Sequence, residues 1–180
     1  MKTIALFGGS FDPPHTGHIA IVNALEKLDY LDAIIVMPSF LNPFKSKSHA
    51  PSLLRLQWLR SIFSEHKNVL VDDYEVKLEK KVPTIESVDY LLKKYQKIFV
   101  VIGADNLATL KLWHKYNELK EKVTFIVASR ENIKIPKEFI ALRVDVDIAS
   151  SKLREVMDTT KLPKQCAQEI AQHYKETNAR

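Results

Sequence analysis

The sequence predicts an α/β protein built on a doubly wound parallel sheet. Two observations carry that expectation. Short apolar, β-branched runs recur along the chain, and stretches with helical spacing separate them. No Gly/Ser/Pro-rich linker or repeat interrupts the alternation. Parallel strands need a crossover, and a helix is the usual one. Ligands of such sheets bind beyond the carboxyl ends of the strands, so the loops that directly follow strands are the places to look for function.

Residues 3–7 read as the first strand, 19–28 as a helix, and 33–37 as a second strand ended by Pro38. Leu53, Leu56, Leu59 and Phe63 recur at intervals of three and four, which gives a helix over 53–63. A strand at 69–71, a helix over 84–95 and a strand at 98–102 follow. Residues 107–119 read as helical in two pieces, and 123–128 as a strand. In the last strand, 141–148, Leu142, Val144, Val146 and Ile148 alternate with Arg143, Asp145 and Asp147, as suits a half-exposed position. A short helix over 150–157 comes next. Pro163 then opens a final helix whose Cys166, Ile170 and Tyr174 share one face. The expectation is one domain over residues 1–180, with C-terminal helices of about 150–178 packed on the sheet.

Composition narrows the function classes. With 46% hydrophobic and 27% charged residues, the chain has ordinary globular usage, which excludes a disordered or low-complexity polymer. Its longest apolar run, 98–102, is strand-sized, far short of a membrane span. The apolar stretch near the N-terminus stops at Gly8-Gly9, too brief for a secretory leader, so a cytoplasmic location is expected. Cys166 is the sole cysteine, which excludes an intrachain disulfide and a thiolate metal cage. The net charge of +5 suits an anionic partner. The lysines are scattered, however, and no zinc-finger spacing, aromatic RNP-like strand or Arg-rich tract accompanies them. A nucleic-acid surface is therefore not expected.

The loop after the first strand reads Gly8-Gly9-Ser10-Phe11-Asp12-Pro13-Pro14-His15-Thr16-Gly17-His18 and runs into a helix. Glycines at a strand end permit a tight turn and expose bare N–H groups to a ligand, while Pro13-Pro14 stiffens the turn. A helix starting near Gly17 aims its free amides and positive dipole end at the same spot. These features describe an anion site. His15 and His18, three apart, can reach one phosphate chain, each donating a hydrogen bond and, when protonated, a positive charge. A Gly-Gly pair also serves as a plain turn, and the loop has neither G-x-G-x-x-G nor a P-loop. His-x-x-His can bind metal, although no H-E-x-x-H and no third ligand stands nearby.

Residues 8–18 resemble, without a break, the G-G-[ST]-F-D-P-x-H-x-G-H signature of the nucleotidylyltransferase superfamily. Near the other end, Ile148-Ala149-Ser150-Ser151-Lys152-Leu153-Arg154 is similar to that superfamily's I-S-S-T-x-[IL]-R segment, with Ala149 in place of the first serine. Three further segments resemble bacterial nicotinate mononucleotide adenylyltransferases. These are the proline-containing loop 38–45 ending in Lys45, the run from Gly103-Ala104-Asp105 to Leu110 and Trp113, and Thr84 before a helix.

The resemblance implies a Rossmann-like nucleotidylyltransferase fold and transfer of adenylate from ATP to nicotinate mononucleotide, with release of pyrophosphate. It further implies that His15, His18, Lys45 and Arg154 act on the phosphates, and that Gly8, Gly9, Ser10, Phe11, Gly17, Ser150 and Ser151 bind ATP. Thr84, Asp105 and Trp113 would bind the mononucleotide, Trp113 by stacking on the pyridine ring. Mg²⁺ would arrive on the triphosphate, with no protein metal site. Each assignment has a plainer counterpart: a solvated loop lysine for Lys45, a core aromatic for Trp113, an N-cap for Asp105 and a helix cap for Thr84. Arg55, spaced as in the family's S-x-x-R-x-x-W-L helix, reads as structural. The competing functions are another small-molecule adenylyl or cytidylyl transfer and a non-catalytic nucleotide-binding module.

Overall fold

The computed structural model describes residues 2–130, 133–145 and 148–178. Six strands, β1 (Thr3–Gly9), β2 (Ala33–Pro38), β3 (Val69–Val71), β4 (Lys97–Gly103), β5 (Thr124–Ala128) and β6 (Ile140–Leu142), form one sheet in the order β3-β2-β1-β4-β5-β6. Every neighbouring pair is parallel; Ile4 of β1 lies opposite Ala33 of β2 on one side and Ile98 of β4 on the other. The chain builds outward from β1 through β2 and β3, then returns to add β4 on the far side of β1. The direction of winding reverses between β1 and β4, and the loops leaving those two strands diverge there to leave a crevice.

The helices are α1 (Thr16–Leu25), α2 (Ser52–Ile62), α3 (Tyr74–Leu78), α4 (Thr84–Leu92), α5 (Tyr116–Lys122), α6 (Ser150–Glu155) and α7 (Ala167–Asn178). Strand side chains alternate between two buried layers, as a pleated backbone requires. Ala5, Phe7, Ile34, Val36, Phe99 and Val101 pack with Val22 and Leu25 of α1, Leu59 and Ile62 of α2, Leu153 of α6, and Ile170 and Tyr174 of α7. Ile4, Leu6, Ile35, Met37, Ile98 and Val100 pack with Ile85, Val88 and Leu91 of α4 and Leu119 of α5. The central strands are covered on both faces, which is why their sequences read as continuous apolar runs rather than alternations.

Three expectations need correction, and one element was not foreseen. The last strand ends at Leu142 instead of reaching 148. Past Leu142 the Ser129 hydroxyl takes over from the ladder, accepting from Val144 N at 2.8 Å and lying 3.3 Å from Val144 O; Val146 and Asp147 lie outside the described residues. The helix expected over 107–119 is broken into two 3₁₀ turns, Ala104–Asn106 and Leu110–Leu112, followed by α5, which Lys115 precedes in a left-handed conformation (φ 53°). The final helix begins at Ala167, with Pro163 in a turn before it that Cys166 N closes at 3.1 Å. Finally, α3 is a single turn, ended by a left-handed Glu79 (φ 51°), too short to leave a periodic signal.

Candidate active site

The crevice at the ends of β1 and β4 is a cavity of about 580 Å³. Gly8, Gly9, Ser10, Phe11, His15, Gly17, His18, Lys45, Thr84, Asp105, Trp113, Ser150, Ser151 and Arg154 all line it. Residues about 140 apart in sequence thus face one space.

The first motif is shaped by close approach. Gly8 and Gly9 belong to β1, and the residue that turns left-handed is Phe11 (φ 48°), not a glycine. Gly9 is needed for room instead: a Cβ there would meet the Phe11 ring at 3.2 Å. A Cβ on Gly17 would come within 2.9 Å of His15 Nδ1. With that space clear, the His15 and His18 rings stack at 3.7 Å, and Phe11 meets the other flank of His18 at 4.8 Å. His15 N donates to His18 Nδ1 at 3.1 Å. Since Nδ1 of His18 accepts, the proton of the neutral ring sits on Nε2.

The surroundings disfavour the protonated form of both imidazoles, so of the two contributions open to them the hydrogen bond remains. Burial lowers the His15 pKa to about 3, with the Arg130 charge adding to it. Burial, His15 and Arg130 hold His18 well below its ordinary value. The positive charge of the cavity therefore comes from Lys45, Arg130 and Arg154, and the imidazoles contribute N–H groups. Lys45 Nζ lies 3.4 Å from Ser10 Oγ, and burial, then Arg154, lowers its pKa.

A buried network aims the loop. The carboxylate of Asp12 accepts from His49 N (2.8 Å), Ala50 N (2.9 Å) and the Tyr174 hydroxyl. Burial alone would raise this carboxyl; the His49 amide, the Tyr174 hydroxyl, the Ala50 amide and the Arg55 charge together bring it below the ordinary aspartate value. Arg55, fully buried, donates to Ala50 O (3.0 Å), Ser10 O (2.5 Å) and Phe40 O (2.9 Å), and so ties α2 to the loops after β1 and β2. The second motif docks on the same loop. Ser150 Oγ donates to Pro13 O at 2.9 Å, and Arg154 donates to Asp12 O.

On the opposite wall, Trp113 follows the second 3₁₀ turn and is half-buried against the second core layer, so it is not a fully enclosed core aromatic. Asp105 is not an N-cap: Gly103 holds that position, and the Asp105 carboxylate lies 3.4 Å from Arg130 Nε. Thr84 is the first residue of α4, with Pro83 as the cap residue. Arg130, Ser39, Glu75 and Ser87 line the cavity too, and the sequence reading did not select them. Arg130 stands in the loop after β5 and donates to Ile148 O at 3.2 Å. The rule that sites follow strands would have found it. The buried hydroxyl of Ser39, just after β2, has no hydrogen-bond partner among the described residues. Glu75 lies in the unforeseen α3 and had no sequence signal.

Residues 6–156, from β1 to just beyond Arg154, match the model of the family described as cytidylyltransferase-like. A Sulfurimonas denitrificans protein named "Probable nicotinate-nucleotide adenylyltransferase" is 59% identical over 100% of this chain and 99% of its own length. The chain belongs to the cytidylyltransferase-like family. Two more relatives with the same printed name, from Nitratiruptor sp. and Campylobacter jejuni, are 47% and 44% identical over 96% and 95% of this cytidylyltransferase-like chain and 98% and 96% of their own. Among solved structures, a Plasmodium falciparum nicotinic acid mononucleotide adenylyltransferase complexed with NaAD superimposes with a TM-score of 0.76, covering 99% of this chain and 97% of that one. At 18% identity that likeness shows the fold, a Rossmann-like parallel α/β sheet.

Proposed function

We propose that this chain is a nicotinate-nucleotide adenylyltransferase: a phosphate oxygen of nicotinate mononucleotide attacks the α-phosphorus of ATP, the bond to the β-phosphate breaks, and nicotinate adenine dinucleotide and pyrophosphate result. The observation that carries this reading is the meeting of residues 8–18 and 148–154 in one cavity that also contains Trp113. The names of the full-length relatives support the choice of substrates. The reading takes residues 1–180 as one catalytic unit working in the cytoplasm. Among the described residues, no helix is long and apolar enough to cross a membrane.

A phosphate monoester is already nucleophilic, so catalysis here is alignment and charge stabilisation. His18 donates through Nε2 to the phosphate chain of ATP, held in place by the ring stack and the His15 amide. His15 supplies a second donor beside it. Lys45 and Arg154 neutralise the charge that builds on the departing pyrophosphate. Ser150 and Ser151, with the backbone from Gly8 to Phe11 and at Gly17, bind the nucleotide. Trp113 stacks on the pyridine ring, Thr84 lies beside it, and Asp105 takes the ribose of the mononucleotide.

Among the described residues, no three His, Cys, Asp or Glu side chains gather as metal ligands. In this reading Mg²⁺ enters as part of the substrate, on the triphosphate.

The test is pyrophosphate release from ATP and Mg²⁺ with nicotinate or nicotinamide mononucleotide, with CTP as the competing nucleotide. ATP with the nicotinate compound is the expected pair. Release with neither mononucleotide overturns the reading.

A further inference from the structure

The carboxyl of Glu75 is out of place. It is 7% exposed, lines the cavity, and receives one hydrogen bond, from Ser87 Oγ to Oε1 at 2.7 Å. No cation pairs with it among the described residues. The nearby lysines are engaged elsewhere: Lys77 lies 3.0 Å from Asp73, and Lys80 lies 3.1 Å from Glu86. The charged groups acting on Glu75 are the carboxylates of Asp72 and Glu86. The stacked phenols of Tyr74 and Tyr90 complete this side of α3 and α4. A buried carboxylate that meets only negative neighbours resists ionisation.

Glu75 also lies on a particular side of the cleft. His15, His18 and Arg154 come from α1, α6 and the loop before α1, whose apolar residues pack in the layer that holds Phe7 and Leu153. Tyr74, next to Glu75, packs in the other layer, with Ile85 of α4 and Trp113. The Glu75 carboxyl itself is bonded to Ser87 of that same α4, so it shares the wall of the aromatic platform rather than that of the phosphate donors. Resting on the function proposed above, this places it on the side of the pyridine ring, whose only charged substituent in the acid substrate is a carboxylate.

We propose that Glu75 sets the choice between acid and amide mononucleotide: as a neutral carboxylic acid held by Ser87, it donates its O–H to the carboxylate of the nicotinate ring. Once ionised it repels that carboxylate and instead accepts from the N–H of an amide. The surroundings put this change within reach, because burial, together with Asp72 and Glu86 and against the Ser87 bond, pushes the Glu75 carboxyl up to about 7. Above that pH, binding the acid mononucleotide must take up a proton, and binding the amide need not.

The experiment measures pyrophosphate release with each mononucleotide from about pH 6 to about pH 9 and follows the ratio of the two kcat/KM values. Both substrates carry the same phosphate and share ATP, so ionisations unrelated to the ring substituent cancel. The expected ratio of acid to amide falls roughly tenfold per pH unit above the turning point. Glu75→Gln, which keeps an N–H donor that cannot ionise, flattens this slope. A flat ratio in the unsubstituted protein overturns the proposal while leaving the adenylyltransferase reading intact, as does a Gln variant with the original slope. Absence of release with either mononucleotide at every pH sinks both. Should the variant not fold, the profile of the unsubstituted protein decides.

Discussion

On the phosphate side of the cleft, the loop that carries the imidazoles is braced from behind: Asp12 has three hydrogen-bond donors, Arg55 reaches three carbonyls, and α6 is tied to Asp12 and Pro13. On the aromatic side, Trp113 and Asp105 stand on short 3₁₀ turns, one half-buried and the other exposed in a 3.4 Å ion pair. The difference fits the chemistry proposed for each side. Donors that stabilise a transition state gain from being fixed beforehand, because no energy is then spent reorganising them. A stacking platform needs only area and approximate orientation. The same side chains that aim the phosphate loop should therefore be costly to remove, and those of the aromatic side should report mainly on binding.

The contrast can be broken by substitution. The largest effect is expected from Arg55→Ala, which strands three carbonyls and leaves Asp12 without its nearby cation: a loss of about 3–5 kcal/mol in stability by urea denaturation. A loss below about 1 kcal/mol would show that the brace carries no weight. His18→Ala should lower kcat by about 10² or more, worth about 2.7 kcal/mol, while the thermal midpoint stays close to that of the unsubstituted protein. Near-native turnover removes His18 from the reaction. Trp113→Ala should raise KM for the mononucleotide roughly tenfold, about 1.4 kcal/mol, and leave KM for ATP in place. Equal changes in both constants contradict stacking on the ring. Asp105→Asn is the mildest, because an exposed ion pair contributes about 0–1 kcal/mol to stability; a denaturation midpoint shifted by more than this would make the aromatic side as rigidly built as the other.

Much of this architecture can be read from residues alone. The strand at 98–102 stands out because a buried parallel strand is apolar throughout, and the first motif stands out because it combines adjacent glycines, a Pro-Pro pair and two histidines before a helix. What escaped was set by tertiary contacts. β6 stops where the Ser129 side chain substitutes for a ladder partner. The segment from 104 to 122 breaks into three pieces, and a left-handed Lys115 marks the last break, where no glycine or proline announces it. The neutrality of the imidazoles depends on burial and on Arg130, 112 residues beyond His18, so no local pattern could reveal it. Arg55 was legible as structural but not as a brace, since its three partners are backbone carbonyls, which any sequence supplies.

The bond from Tyr174 to Asp12 joins the last helix to the first loop. During synthesis the glycines and histidines of that loop leave the ribosome well before the hydroxyl that steadies their neighbour, which lies 162 residues further along the chain. A nascent chain stalled before α7 would carry both motifs that face the cleft and still lack the strut that aims the first of them, so that loop is fully braced only once α7 has been made.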